Sequence, residues 1–337
     1  MANDSQSPDE FPERISDVPL QVVNCYSRLW QLETWLRTMV YVELRALLGD
    51  HWADGIDPAP RSLAADKALT HMPTPEMNAL SYATLGQLLQ LVSNHWDCFA
   101  CYFPPQTLWE AKLKEVSQIR NRVAHFRVGN ANDYDRLILF LRDVDEGFWQ
   151  FCTSYNAEFP ILPPRSNPVS RKFMAFDPLP DVRIGPKQWA VLGKRNTDLP
   201  IGVKVSAQRR PWHSARLADG EPGYLYDVQI FAQDGRMFDL GTLLERTQSL
   251  HPQIVHIALG NLGETVRLTI PSILGKRQVI TILTEFHDAA LINVRRAPVL
   301  PQGRADAIAD AWPEYVIGPR NPLSFLAPDM PCSFFGI

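Results

Sequence analysis

The feature that most constrains this chain is a change of apolar period along its length. Up to about Phe151 apolar residues recur at steps of three and four, whereas far downstream they fall into short β-branched runs. Seven of the 28 prolines lie between Pro160 and Pro186, where the pattern changes. A period near 3.6 buries one stripe of a helix, while β-branched and aromatic runs suit a pleated surface, so the two halves call for different architectures.

Four helical stripes are legible in the first half. Leu29, Leu32, Leu36, Val40, Leu44 and Leu47 mark a long helix with Gly49 as its stop. Asp54 to Pro75 reads as connection. Leu85, Leu88, Leu89, Val92, Trp96, Phe99 and Phe103 form the second stripe, and Pro104-Pro105 break the chain after it. Thr107 with Glu110 has the capping-box spacing to open a third helix, whose stripe is Val116, Ile119, Val123 and Phe126. Asn132 or Asp133 caps a fourth, carrying Leu137, Leu141, Val144, Phe148 and Phe151. Together these predict a helical bundle of roughly 140 residues.

The second half holds the runs YLYDVQIF, QIVHIAL, ETVRLTI, RQVITIL and AALINVR, bounded by Asp234-Gly235, Gly260-Asn261, Gly263 and Gly275. With one helical stretch near Gly241–Leu250, this predicts a β-rich α+β domain. The expected division is a polar tail at 1–17, a helical bundle at 18–158, a Pro-rich linker or surface arm at 159–186 and the β-rich domain at 187–337. The final stretch, SFLAPDMPCSFFGI, is apolar enough to dock on a surface.

Composition is that of an ordinary globular protein, 45% hydrophobic and 21% charged. No apolar run has the length of a membrane span, and the first residues are acidic and polar, unlike a signal peptide. Five scattered cysteines suggest reduced thiols and a cytoplasmic setting. Cys98 and Cys101 lack a second pair to complete a zinc site and read as two buried thiols. His251 with His256, and Glu285, His287 and Asp288, are weak metal candidates, so neither a metal nor a cofactor is expected. Gly193-Lys194 and Gly275-Lys276 lack the remaining residues of a phosphate loop. Net charge is −4. Through Tyr155 there are 13 Lys and Arg against 20 Asp and Glu, a balance of −7. Any grip on a nucleic acid in that half must therefore be local or lent by the other half.

One segment concentrates chemistry. In Val116 to Arg127, VSQIRNRVAHFR, Asn121 and His125 fall about 140–180° from the apolar stripe, one turn apart, with Arg120 and Arg122 flanking them. A solvated basic face is the plain alternative. Elsewhere, Arg209-Arg210 beside Trp212 and His213, like Lys194-Arg195 and Arg295-Arg296, combine cations as a nucleic-acid backbone requires, or are simply solvated loop charges.

Arg120-Asn121-Arg122-Val123-Ala124-His125 resembles the R-x4-H motif of the HEPN superfamily of α-helical ribonucleases and toxins, in which a polar residue follows the Arg. LETWLRTMVYVELRALLGDHW resembles the opening helix of abortive-infection-type members, and LGQLLQLVSNHWDCF the helix that precedes the motif. The resemblance covers the bundle only. It implies a metal-independent endoribonuclease, a toxin or antiphage effector, with Arg120, Asn121 and His125 catalytic; Arg122 and Arg127 beside the motif, and Arg209 and Arg210 in the second half, are read as substrate contacts from their charge alone. It also implies a homodimer that pools two motifs, RNA as substrate, and an antitoxin or regulatory protein as partner. Where one toxin branch carries an adenylylated Tyr two residues after the His, this chain has Phe126-Arg127. Two other readings stay open: a non-catalytic binding or scaffold module, and a sensor whose C-terminal domain binds a ligand or phage protein.

Overall fold

The computed structural model describes residues 18–54, 56, 59–72, 78–156, 158–178, 181–185, 188–191, 199–296 and 303–337. The polar tail expected at 1–17 and the pair Lys194-Arg195 lie outside them. The architecture is a helical bundle followed by an α+β unit built on a six-stranded mixed sheet.

α1 (Leu20–Leu48) is the axis of the bundle. Leu32, Leu36, Val40 and Leu44 are buried, and the helix stops where Gly49 takes φ +58, a conformation that costs glycine little. α2 (Ala59–Lys67) occupies what reads as plain connection; its few apolar side chains give no stripe, and Pro60 fits its first turn. α3 (Leu85–Asn94) is opened by a capping box between Thr84 and Gln87, and α4 (Trp96–Phe99) continues its stripe. α5 (Gln106–Ala124) begins without the expected Thr107–Glu110 box. Pro105 is its N-cap, and Gln106 Nε2 donates to Glu110 Oε1 at 3.0 Å. In α6 (Asp133–Asn156) the whole stripe from Leu137 to Phe151 is buried. Gly147 lets α6 pass against the backbone, since a Cβ there would lie 1.8 Å from the Tyr102 carbonyl oxygen.

The expected linker is folded into the second unit. β1 (Pro160–Ile161) pairs with β4 (Ile201–Arg209) at the sheet edge, where a proline is tolerated. α7 (Pro168–Phe173) carries its proline in the first turn, is capped by Asn167 and buries Val169 and Phe173. β2 (Asp181–Gly185) and β3 (Gln188–Val191) form a separate hairpin. The main sheet runs β1-β4-β5-β8-β7-β10, with β5 (Tyr224–Ala232), β7 (His256–Leu259), β8 (Thr265–Pro271) and β10 (Val316–Ile317); β10 joins β7 in parallel and the other pairs are antiparallel. β6 (Met237–Phe238) pairs with β9 (Val294–Arg295). α8 (Leu240–Thr247), α9 (Gly275–Asn293), α10 (Arg304–Asp310) and α11 (Pro322–Phe325) complete the unit.

α9 overturns two expected strands, because it contains all of RQVITIL and most of AALINVR. Val279, Ile282, Leu283, Phe286 and Ala290 bury one helical stripe, and that period outweighs the β-branching of the same residues. β4 is the longest of the strands that the expected runs omit; Gly202, Lys204 and Ser206 dilute its alternation.

The sheet has two unlike faces. Val203, Val228, Leu268 and Ile270 point into an aliphatic core shared with α7, α8 and α9. Gln208, Asp227, His256 and Thr269 occupy the alternate positions, yet they are buried as well, since the bundle covers that face. Tyr155 in α6 meets His256 Nδ1 at 2.9 Å, and Arg267 Nη1 donates to Asn156 Oδ1 at 2.9 Å. Tyr41 Oη in α1 donates to the Val255 carbonyl, and Gly223 N to the Ala46 carbonyl at 2.8 Å. The final stretch docks as expected. Phe335 is buried against Phe148, Asp145 accepts from the Phe334 and Phe335 amides, and Arg28 Nη1 donates to the Phe335 carbonyl at 2.6 Å. Cys98 is buried, but Cys101 is exposed, which corrects the pair of buried thiols. Among the described residues no helix is long and apolar enough to cross a membrane.

Candidate active site

α5 delivers its motif at its C-terminal end. His125 is the C-cap, and Phe126 beyond it adopts φ +54. The Phe126 amide bonds the Val123 carbonyl and the Arg127 amide bonds the Arg122 carbonyl at 2.9 Å, the Schellman arrangement that usually places glycine where Phe126 stands. Phe126 is 97% exposed, so the apolar stripe of this helix ends at Val123 and not at Phe126 as expected. The cause is the reversal itself, which turns the chain off the helix before the next stripe position is reached.

Asn121 and His125 are exposed, one turn apart on the outer face, and His125 has no side-chain partner among the described residues. Arg120 lies about 100° round the helix from Asn121, toward α1. Its Nε is 3.9 Å from Glu33 Oε2, while Glu33 Oε1 accepts from Arg37 Nη2 at 2.5 Å. Arg37 Nε in turn donates to the Leu80 carbonyl at 2.9 Å. Arg120 thus lines a groove of about 200 Å³ with Tyr26, Trp30 and Val123, its head beside an anchored carboxylate rather than bonded to it.

The expected substrate contacts divide. Arg122 is held by Asp133, its Nη1 at 2.5 and 2.7 Å from the two carboxylate oxygens, and Asp133 also accepts from the Asn130 amide. That arrangement fastens the loop from Phe126 to Asn132, so Arg122 serves the fold first. Arg127 is exposed. Arg209 lies half-buried over the Phe159 ring, 5.6 Å from its centroid.

Arg210 contradicts its assignment as a substrate contact. It is fully buried, donating from Nε and Nη2 to Glu43 and from Nη2 to Tyr102 and Ser154. Burial alone would lower its pKa, but the Glu43 carboxylate more than offsets this and the net shift is upward. Trp212 Nε1 donates to the other Glu43 oxygen at 2.7 Å. The aromatic–cation pattern around Arg210 is therefore the filling of an internal ion pair. Arg295, likewise read as part of a basic pair, bonds Asp239.

Among the described residues no group of three His, Cys, Asp or Glu is placed to hold a metal ion. Burial pushes His251 down to about 4, and His256 to about 3, aided by Arg267 and Arg45. Both rings are neutral in the fold and unsuited to proton transfer near pH 7. Sequence reasoning missed Glu33 as the carboxylate beside Arg120, and it missed Tyr26 and Trp30. These two aromatics are exposed and one turn apart, just off the leucine stripe of α1, a spacing that is legible once that stripe is drawn. No family model, curated protein or solved structure matches the chain.

Proposed function

We propose that this chain is a metal-independent endoribonuclease of the HEPN type, acting as a toxin or antiphage effector. The observation that carries the reading is an unpartnered His125 one turn from Asn121 on the outer face of α5, with Arg120 beside them. RNA supplies its own nucleophile, the 2′-OH. Cleavage needs that proton removed, the phosphorane charge offset and the 5′-oxygen protonated. An imidazole performs the proton transfers near neutral pH, and a guanidinium fork matches phosphate oxygens. Arg120, too far from Glu33 for a hydrogen bond, has donors to offer.

A single imidazole does not serve as base and acid in one step. Two copies meeting through the outer face of α5 pool two His125 side chains in a two-fold cleft. With Phe126-Arg127 after the His, no tyrosine stands where adenylylation silences relatives, so control falls to a protein contact or to the second unit.

The test is incubation of the purified protein with total RNA, with and without EDTA. Cleavage is expected in both, leaving 2′,3′-cyclic phosphate and 5′-OH ends. His125→Ala and Arg120→Ala should each lower the rate by at least about a hundred-fold. Cleavage that requires Mg²⁺, or that survives His125→Ala, overturns the reading.

A further inference from the structure

Three depressions on the surface of α1 join end to end. One of about 370 Å³ is lined by Val22, Phe126 and Arg127, and it shares Val123 with the groove of about 200 Å³ that holds Arg120. That groove shares Trp30 and Arg37 with a third of about 270 Å³, lined by Thr38, Asn78, Ser81 and Glu314. From Gln21 to Tyr41, at 1.5 Å per residue, the furrow is about 30 Å long. It passes directly beside the end of α5.

Two properties of its lining point to an occupant. First, its aromatic rings are bare: Tyr26 is 60%, Trp30 61% and Phe126 97% exposed. Phe126 is held there in a left-handed conformation that a bulky side chain adopts only at a cost. Second, four guanidiniums (Arg37, Arg120, Arg122 and Arg127) face three carboxylates (Glu33, Asp133 and Glu314), a surplus of positive charge within a half whose balance is −7. Arg120 is beyond hydrogen-bond distance from Glu33, and Arg127 has no side-chain partner among the described residues. Separated aromatic faces with interleaved cations hold unstacked bases and the phosphates between them. In a duplex those base faces are already occupied by their neighbours.

We infer that this furrow is a track for single-stranded RNA, with bases stacked on Tyr26, Trp30 and Phe126 and phosphates passing Arg120 and Arg127. The inference rests on the ribonuclease reading and gives it a substrate class: unpaired RNA, with the stretch flanking the cleaved bond lying along α1. Phe126, adjacent to His125, takes the base nearest the reacting phosphate.

The experiment uses the full chain and a labelled, mixed-sequence 2′-O-methyl RNA, which has no 2′-OH to attack and so reports binding alone by fluorescence anisotropy. The single strand should bind and its perfect duplex should bind far more weakly. Trp30→Ala and Phe126→Gly should each weaken binding by roughly five- to a hundred-fold, and Trp30→Phe should keep most of it. Phe126→Gly suits its backbone position, so a loss there is not a loss of folding. No binding by the unmodified chain, equal binding of duplex, or unchanged affinity in both variants overturns the track. So does light scattering in which Trp30→Ala turns a dimer into a monomer, since the face would then be an interface between copies. Binding through Trp30 without His125-dependent cleavage of total RNA removes the nuclease reading and leaves the track. Cleavage with KM unmoved by Trp30→Ala and Phe126→Gly does the reverse.

Discussion

Arg120 and Arg210 are the same side chain in opposite circumstances. Arg120 stands half-exposed in a surface groove near a helix end, in a loose ion pair with Glu33 at 3.9 Å. Arg210 is sealed between bundle and sheet, with Glu43, Tyr102 and Ser154 as hydrogen-bond partners. A guanidinium in water is available to a ligand and contributes little to the fold, whereas a desolvated one has its donors committed and the fold depends on its partner. The difference teaches that the use of an arginine is set by what covers it, and here the cover comes from residues 56 to 167 positions away.

The largest expected effect separates these two sites. Arg210→Ala leaves the Glu43 carboxylate buried without its ion pair and should cost about 3–5 kcal/mol, read as a lower urea midpoint. Replacing both partners, Glu43→Met with Arg210→Met, should recover most of that loss. Arg120→Ala should move stability by about 1 kcal/mol or less while removing cleavage. A comparable destabilisation by both single variants would erase the contrast.

The second effect sharpens the picture of a sealed seam. His256 and His251 are neutral in the fold and gain protons readily only when unfolded, because their pKa values are pushed down from 6.5 to about 3 and about 4. The unfolded chain then binds more protons below pH 6.5, so stability is full above that value and falls as pH drops toward about 4. Each ring contributes up to about 1.4 kcal/mol per pH unit. Asp227, raised by burial, works in the opposite direction, since it binds its proton more readily in the fold. Urea titrations at stepped pH should show the slope, and His256→Gln should flatten it; a flat profile in the unmodified chain would mean that water reaches these rings.

The smallest effect belongs to the open end of α5. Phe126→Gly should raise stability by about 1 kcal/mol, seen as a higher Tm, because glycine meets φ +54 without strain. A lower Tm would mean that the exposed ring has packing partners in solution.

What was legible in the sequence followed from period. The stripes of α1, α3, α5 and α6, the stop at Gly49 and the docking of the final stretch are all local patterns of apolar spacing. α9 was misread because Val279, Ile280 and Ile282 satisfy a strand propensity as well as a helical period, and only the length of the pattern decides between them. The linker was misread because prolines were counted rather than placed: Pro168 at a helix start and Pro160 on an edge strand break nothing. At the candidate site, the exposure of Asn121 and His125 followed from the helical angle. The fates of Arg122 and Arg210 did not, since Asp133 lies across a turn and Glu43 on the bundle's α1, far from Arg210 in the chain.

The long-range bonds of the bundle also set the order in which it is completed during synthesis. Arg28 waits for a carbonyl 307 residues downstream, and Glu43 for a guanidinium 167 residues downstream. At about 5–20 residues per second, a ribosome needs roughly fifteen seconds to a minute to supply the first of these partners. Until then α1 and α6 lack the aromatic plug of Phe334 and Phe335, whereas Glu43 meets its guanidinium sooner, once Arg210 has been made. The motif on α5 therefore emerges from the ribosome early but sits on a finished scaffold only once nearly all of these residues have been made.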